Sequence, residues 1–118
     1  MHIYLYDGTF EGMLTAIFYS FADKDELDIQ RAALYQPTLL SVPVDITTED
    51  DKVRRVSQSI QERLSWQTWK NVYYLYLSDL AGSEYLSYRY LKLCYRRGDA
   101  INLAKNDPII HQVDQIRY

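Results

Sequence analysis

The stretch HIYLYDGTFEGMLTAIF near the start of the chain changes its period within two residues. His2 to Tyr6 is an apolar, aromatic and β-branched run of strand length, and Asp7-Gly8 behind it is a strong turn signal. Phe10, Met13, Leu14, Ile17, Phe18 and Phe21 then fall at i, i+3, i+4, i+7, i+8 and i+11, the apolar face of an amphipathic helix. Asp7 or Thr9 can cap that helix, and Glu11 sits in its first turn near the positive end of the dipole. A strand that feeds a helix across one tight turn requires sheet and helix to share a core, which points to the α+β class.

The rest of the chain is mostly helical in pattern. Leu27–Gln30 and Leu39–Ile46 read as two more short strands, the second with Pro43 inside it, which suits an edge strand or a break. Pro37 fixes the turn before it. Thr48 with Asp51 three residues later makes a capping-box-like start, and Val53, Val56, Ile60 and Leu64 give a buried stripe over 49–64. Ser65 caps a following helix with Trp66, Trp69, Val72, Tyr73 and Tyr76 expected inward, and Gly82-Ser83 ends it. A helix from Ser83 to Arg97 stops at Gly98, and Asp99 starts a short one to Ala104. Asp107-Pro108 caps a last helix lined by Ile109, Val113 and Ile116, still in stride at Tyr118. The expectation is one domain over 1–118: about five helices packed on a short antiparallel sheet.

At 118 residues the chain has the length of one domain, and 47% hydrophobic with 25% charged residues is an ordinary globular composition. A formal net charge of −3 argues against generic coating of nucleic acid or anionic membrane but leaves room for a local basic patch. One cysteine, Cys94, allows no internal disulfide and suits a reducing compartment. Neither a signal peptide nor an apolar run of about 20 residues is present. The cytoplasm, with no membrane partner, is the expected location.

Little in the sequence reads as chemistry. Gly8-Thr9-Phe10-Glu11-Gly12 has neither the glycine spacing of a dinucleotide fingerprint nor the Lys-Ser/Thr of a P-loop, and Glu11 stands where an anion would bind. Asp7, Gly8, Glu11 and Gly12 are therefore read as a strand-to-helix turn, with Gly8 for backbone freedom and Gly12 for close packing. Asp7 and Glu11 are four apart and could pair for acid–base work, but acids at a helix start mostly serve the cap. His2, His111 and Cys94 have no metal-ligand spacing, and Cys94 lies among apolar residues as a small hydrophobe. No cofactor, metal or self-sufficient catalytic set is expected.

Tyrosine is the unusual residue: twelve in all, eight of them from Tyr73 to Tyr118. In SEYLSYRYLKLCYRRG, Ser83 to Gly98, a helical wheel puts Leu86, Tyr90, Leu93 and Cys94 on one side, with Leu91 at its edge. Arg89, Lys92 and Arg96 lie opposite with Tyr85 among them, Tyr88 and Tyr95 flank them, and Arg97 closes the helix. Cations interleaved with rings suit nucleic acid, the cations meeting phosphates and the rings stacking on exposed bases. The plainer reading is a solvated face whose cations complement the helix dipole.

YLYDGTFEGMLTAIF, then Gln36-Pro37, then YYLYLSD at Tyr73–Asp79 and EYLSYRYLKL at Glu84–Leu93, in that order, resemble a family of uncharacterised bacterial proteins labelled as DNA-metabolism proteins. That family is built on a domain of unknown function. It is encoded beside a radical S-adenosylmethionine protein of DNA modification or repair, and is sometimes fused to a uracil-DNA-glycosylase-like domain. The family pattern continues into a further basic, aromatic region, so the chain resembles the first part of the family domain. The resemblance implies an accessory role in DNA repair or modification, with DNA or the radical S-adenosylmethionine protein as partner, and transfers no catalytic residue. Two other readings stand beside it: a protein-interaction domain without nucleic-acid contact, and a fragment of an enzyme whose site is completed by missing residues.

Overall fold

The computed structural model describes residues 1–117; Tyr118, at which the last helix was expected to be still in stride, lies outside them. The chain divides into two compact units, Met1–Val56 and Ser57–Tyr118. Its class is α+β: five α-helices and a three-stranded sheet among the described residues. None of the helices is long and apolar enough to cross a membrane.

The first unit holds β1 (His2–Tyr6), α1 (Phe10–Ser20), β2 (Leu27–Arg31), β3 (Val42–Asp45) and the start of α2 (Asp50–Arg63). The strand order is β2-β1-β3, and both pairings are parallel, with Tyr4 opposite Ile29 on one side and Val44 on the other. This corrects the antiparallel expectation. An antiparallel neighbour follows a tight hairpin, whereas α1 occupies the connection from β1 to β2 and carries the chain back to the same end of the sheet. The sequence of β1 agrees: Ile3, Tyr4, Leu5 and Tyr6 are all buried, the continuous apolar run of a central parallel strand rather than an alternation.

β3 is shorter than expected, and Leu39 and Leu40 lie outside it in an exposed loop. Val42 and Ile46 donate their N–H groups to Met1 and Leu5, so the nitrogen of Pro43, one residue out of phase, faces the open edge where no donor is needed.

Thr9 is the cap of α1. Its hydroxyl accepts the Gly12 N–H at 2.9 Å and donates to Asp7 Oδ1 at 2.6 Å, and Asp7 Oδ1 also accepts the Thr9 N–H at 3.0 Å. Thr48 does not cap α2; its hydroxyl points to Asp7 Oδ2 at 3.3 Å, and the Glu49 carbonyl accepts the first helical bonds. The stripe on α2 is also weaker than expected, with Ile60 buried and Val53, Val56 and Leu64 half-buried.

The second unit contains the end of α2, then α3 (Trp66–Leu77), α4 (Ser83–Arg97), a 3₁₀ segment Asp99–Leu103 and α5 (Pro108–Arg117). Ser65 caps α3 by accepting the Thr68 N–H at 3.0 Å. Asp107 caps α5 through the Ile109 and Ile110 N–H groups, with Pro108 at the first position. Gly98 ends α4 at φ +88°, a conformation L side chains rarely adopt. Two stripes keep Val113 and Val72 buried as the sequence reading had them but otherwise differ from it. On α5, Ile110 and Val113 are buried while Ile109 and Ile116 are half-buried. On α3, Thr68, Asn71, Val72 and Leu75 face inward, and Trp66 is exposed.

A Cβ on Gly12 would collide with Asp7 Oδ1 and sit 3.1 Å from Thr9 Oγ1, both locked in the cap. Gly12→Ala is expected to lower the unfolding free energy by about 1–3 kcal/mol, read as a fall in the urea midpoint; an unchanged midpoint would show that the turn yields at no cost.

Candidate functional site

The inner side of α4 fixes the helix's rotation. Leu86, Tyr90, Leu91, Leu93 and Cys94 are buried as the wheel places them. Tyr90 anchors a polar network inside the second unit. Its phenol accepts from Asn71 Nδ2 at 2.9 Å and donates to Asn102 Oδ1 at 2.5 Å. Asn102 Nδ2 donates to the Asp99 carbonyl at 2.8 Å. Asp99 Oδ1 in turn accepts from Thr68 at 2.5 Å and from Ser65 at 2.9 Å. Burial pushes the Tyr90 phenol up to about 12 and the Cys94 thiol up to about 12. Cys94 is therefore a neutral packing residue at physiological pH and not a nucleophile.

The outer side is cationic. The exposed positions of α4 are Tyr85, Arg89, Lys92, Arg96 and Arg97. Among the described residues none of these four cations takes part in an ion pair. The Arg89 guanidinium lies over the Tyr85 ring at 5.8 Å, and Lys92 Nζ lies over the Tyr88 ring at 5.2 Å.

The rings behave differently from the cations. Tyr85 reaches water, but Tyr88 is 4% exposed. Tyr95 is half-buried, its phenol 2.7 Å from Ser59 Oγ and its ring under Arg63 at 5.5 Å. Both stand at the margin of the apolar arc, where a long ring can lie inward and wheel angle alone does not settle the choice. A row of base-stacking rings is thus reduced to the single ring of Tyr85.

The turn residues act as structure. Asp7 is engaged by Thr9 and Thr48, and its hydrogen bonds, chiefly from the Thr9 hydroxyl, hold its carboxyl below the usual range. Gly8 takes φ +90°, and Gly12 makes way for the Asp7 carboxylate. Glu11 is exposed in the first turn of α1 and makes no acid–base pair with Asp7.

Two features of the structure had no counterpart in the sequence reading. One is a cleft of about 480 Å³ in the first unit, lined by Tyr4, Tyr19, Asp23, Asp45 and Glu49 among others. Tyr19 donates to Glu49, a bond that raises its phenol pKa. Asp23 accepts from the Tyr4 phenol at 2.7 Å, from the Asp25 N–H at 2.9 Å and from His2 Nδ1 at 2.6 Å. These bonds, led by the Asp25 backbone, bring its carboxyl down to about 2. His2, Asp23 and Asp25 put ligand atoms within 4.8 Å of one another and are the group that could hold a metal among the described residues. The 2.6 Å separation of His2 Nδ1 from Asp23 Oδ2 is a hydrogen bond, however, and is shorter than the roughly 3.3 Å between two ligands about 2 Å from one tetrahedral ion.

The other is a stack of four rings along α3. Trp66 lies 5.0 Å from Trp69 at 5°, Trp69 lies 5.8 Å from Tyr73 at 15°, and Tyr73 lies 6.4 Å from Tyr76 at 22°. The signal was the helical spacing of aromatic residues alone, which the sequence reading took for a core face. Trp66 is the exposed end of the stack, and the other three rings are half-buried.

Comparison of the chain with family models, with curated proteins and with solved structures finds no match.

Asp23 is depressed on folding, so its contribution to stability is present above the ordinary carboxylate range and is lost as pH falls through about 2. The melting temperature is expected to drop between about pH 4 and pH 2, and Asp23→Asn to flatten that drop. An equally steep profile in the variant would contradict the assignment.

Proposed function

We propose that this chain is a non-catalytic accessory module that docks on single-stranded nucleic acid through the outer face of α4. The observation that carries the reading is the stripe of Arg89, Lys92, Arg96 and Arg97, exposed together with no ion pair among the described residues. Cations left unpaired by the protein keep their attraction for phosphate, and each phosphate neutralised releases condensed counterions. Tyr85, the ring in that stripe, adds a stacking surface that a duplex would not engage. The net charge of −3 on the whole chain confines the attraction to this face. The buried thiol of Cys94 and the structural use of Asp7 support a non-catalytic role. Placement in DNA repair or modification beside a radical S-adenosylmethionine protein rests on the resemblance of the opening motif and the tyrosine-rich helix, and placement in the cytoplasm on the single cysteine and the lack of a signal peptide or long apolar run.

A second reading, a protein partner, is favoured by the loop before β3. Leu34, Leu39 and Leu40 are 71%, 104% and 81% exposed, and apolar side chains this close in sequence suit burial against another protein.

Single-stranded DNA titrated across salt separates the readings. For the Arg89/Lys92/Arg96→Ala variant, affinity is expected to fall and the slope of log K against log salt to become shallower by roughly 2, at about 0.7 for each contact removed. Binding curves that coincide with those of the unaltered protein would dismiss the nucleic-acid reading in favour of a protein partner.

A further inference from the structure

We infer that the cleft between the start of α4 and the last turns of α5 is a pocket for one unpaired nucleotide of the bound strand. The inference rests on the α4 reading above and deepens it. The cleft encloses about 340 Å³, at the small end of ligand pockets. That size suits one nucleotide and not a run of them. Leu86 and Ile116 supply an apolar lining, and Tyr85 and Arg89 line the same cleft from one helical turn of α4. Gln112 and Gln115 line it from α5.

Each of these groups answers a part of a nucleotide. The Tyr85 ring, or the Arg89 guanidinium lying over it at 5.8 Å, gives a planar surface for a base. A glutamine amide presents a donor and an acceptor side by side, the pattern that reads a base edge. Arg89 supplies the cation for the adjoining phosphate, and it starts the row that Lys92 and Arg96 continue. Among the described residues the lining holds no carboxylate, whereas the larger cleft of the first unit is lined by Asp23, Asp45 and Glu49 and by no described cation. The charge therefore favours an anion in the first of these and repels it from the second. A base edge is open to such groups only when the base is unpaired, which selects a single strand.

The test compares two fluorescent probes at one salt concentration: a short single-stranded oligodeoxyadenylate, and the same sugar–phosphate backbone with abasic residues. The pocket predicts about tenfold tighter binding of the base-bearing probe, as expected for one stacked base. Gln112→Ala with Gln115→Ala should narrow that preference and leave the salt slope unchanged. Both glutamines are exposed, so the variant keeps the fold, which circular dichroism checks. Equal, salt-dependent binding of the two probes overturns the pocket and leaves the α4 face standing. A full preference retained by the glutamine variant overturns this cleft as its source. Displacement of the oligomer by equimolar free deoxyadenosine monophosphate overturns the strand as the source of the nucleotide. Failure of both probes to bind overturns the pocket together with the α4 reading.

Discussion

Tyr90 is buried with its phenol between Asn71 and Asn102, and this arrangement sets which side of α4 meets water. A buried polar group left without its partner costs about 1–3 kcal/mol. Turning the helix away from its observed setting would take the Tyr90 phenol from both Asn71 Nδ2 and Asn102 Oδ1 at once. It would also carry Arg89 or Lys92 toward the core, which costs more than losing a neutral hydrogen bond. The cationic stripe is thus a consequence of the inward network as much as of its own charges. Asp99 extends the same network to Ser65 and Thr68 at the cap of α3, so the start of one helix is tied to the end of another.

Local physics made much of the chain legible. Thr9, Ser65 and Asp107 each precede an apolar period and each caps its helix, because a cap is satisfied by residues within a turn of it. Gly98 marks the end of α4 for the same reason. The direction of β2 and β3 relative to β1 was misread although the cue was present. α1 sits between the first two strands, and a connection of that length is a crossover and not a hairpin. Edge positions were less legible. Ile109 and Ile110 both suit the inner side of α5, and the register between them is decided by what the helix packs against. Tyr88 and Tyr95 met the same ambiguity on α4. The polar network was illegible, because Asn71 and Asn102 look like ordinary solvated residues until the fold brings Tyr90 between them.

The two units differ in electrostatic character. In the first, carboxylates line the cleft beside β3, and Asp23 is consumed by Tyr4, His2 and the Asp25 backbone. In the second, the cleft at the start of α4 carries Arg89 as the charged group among its described residues and opens beside the exposed row of Lys92 and Arg96. On the nucleic-acid reading proposed above, a polyanion is turned away by one surface and drawn by the other. On the same reading, that contrast is what would let a chain of net charge −3 bind an anion at one face without general stickiness.

The most direct measurement is a nuclear magnetic resonance titration of the isotope-labelled protein with single-stranded DNA at low salt. The account predicts shifts concentrated at Tyr85, Arg89, Lys92 and Arg96 on α4 and at Gln112 and Gln115 on α5. Shifts gathered instead on the Trp66–Tyr76 stack or on the Leu34–Leu40 loop, or none at all, would contradict it.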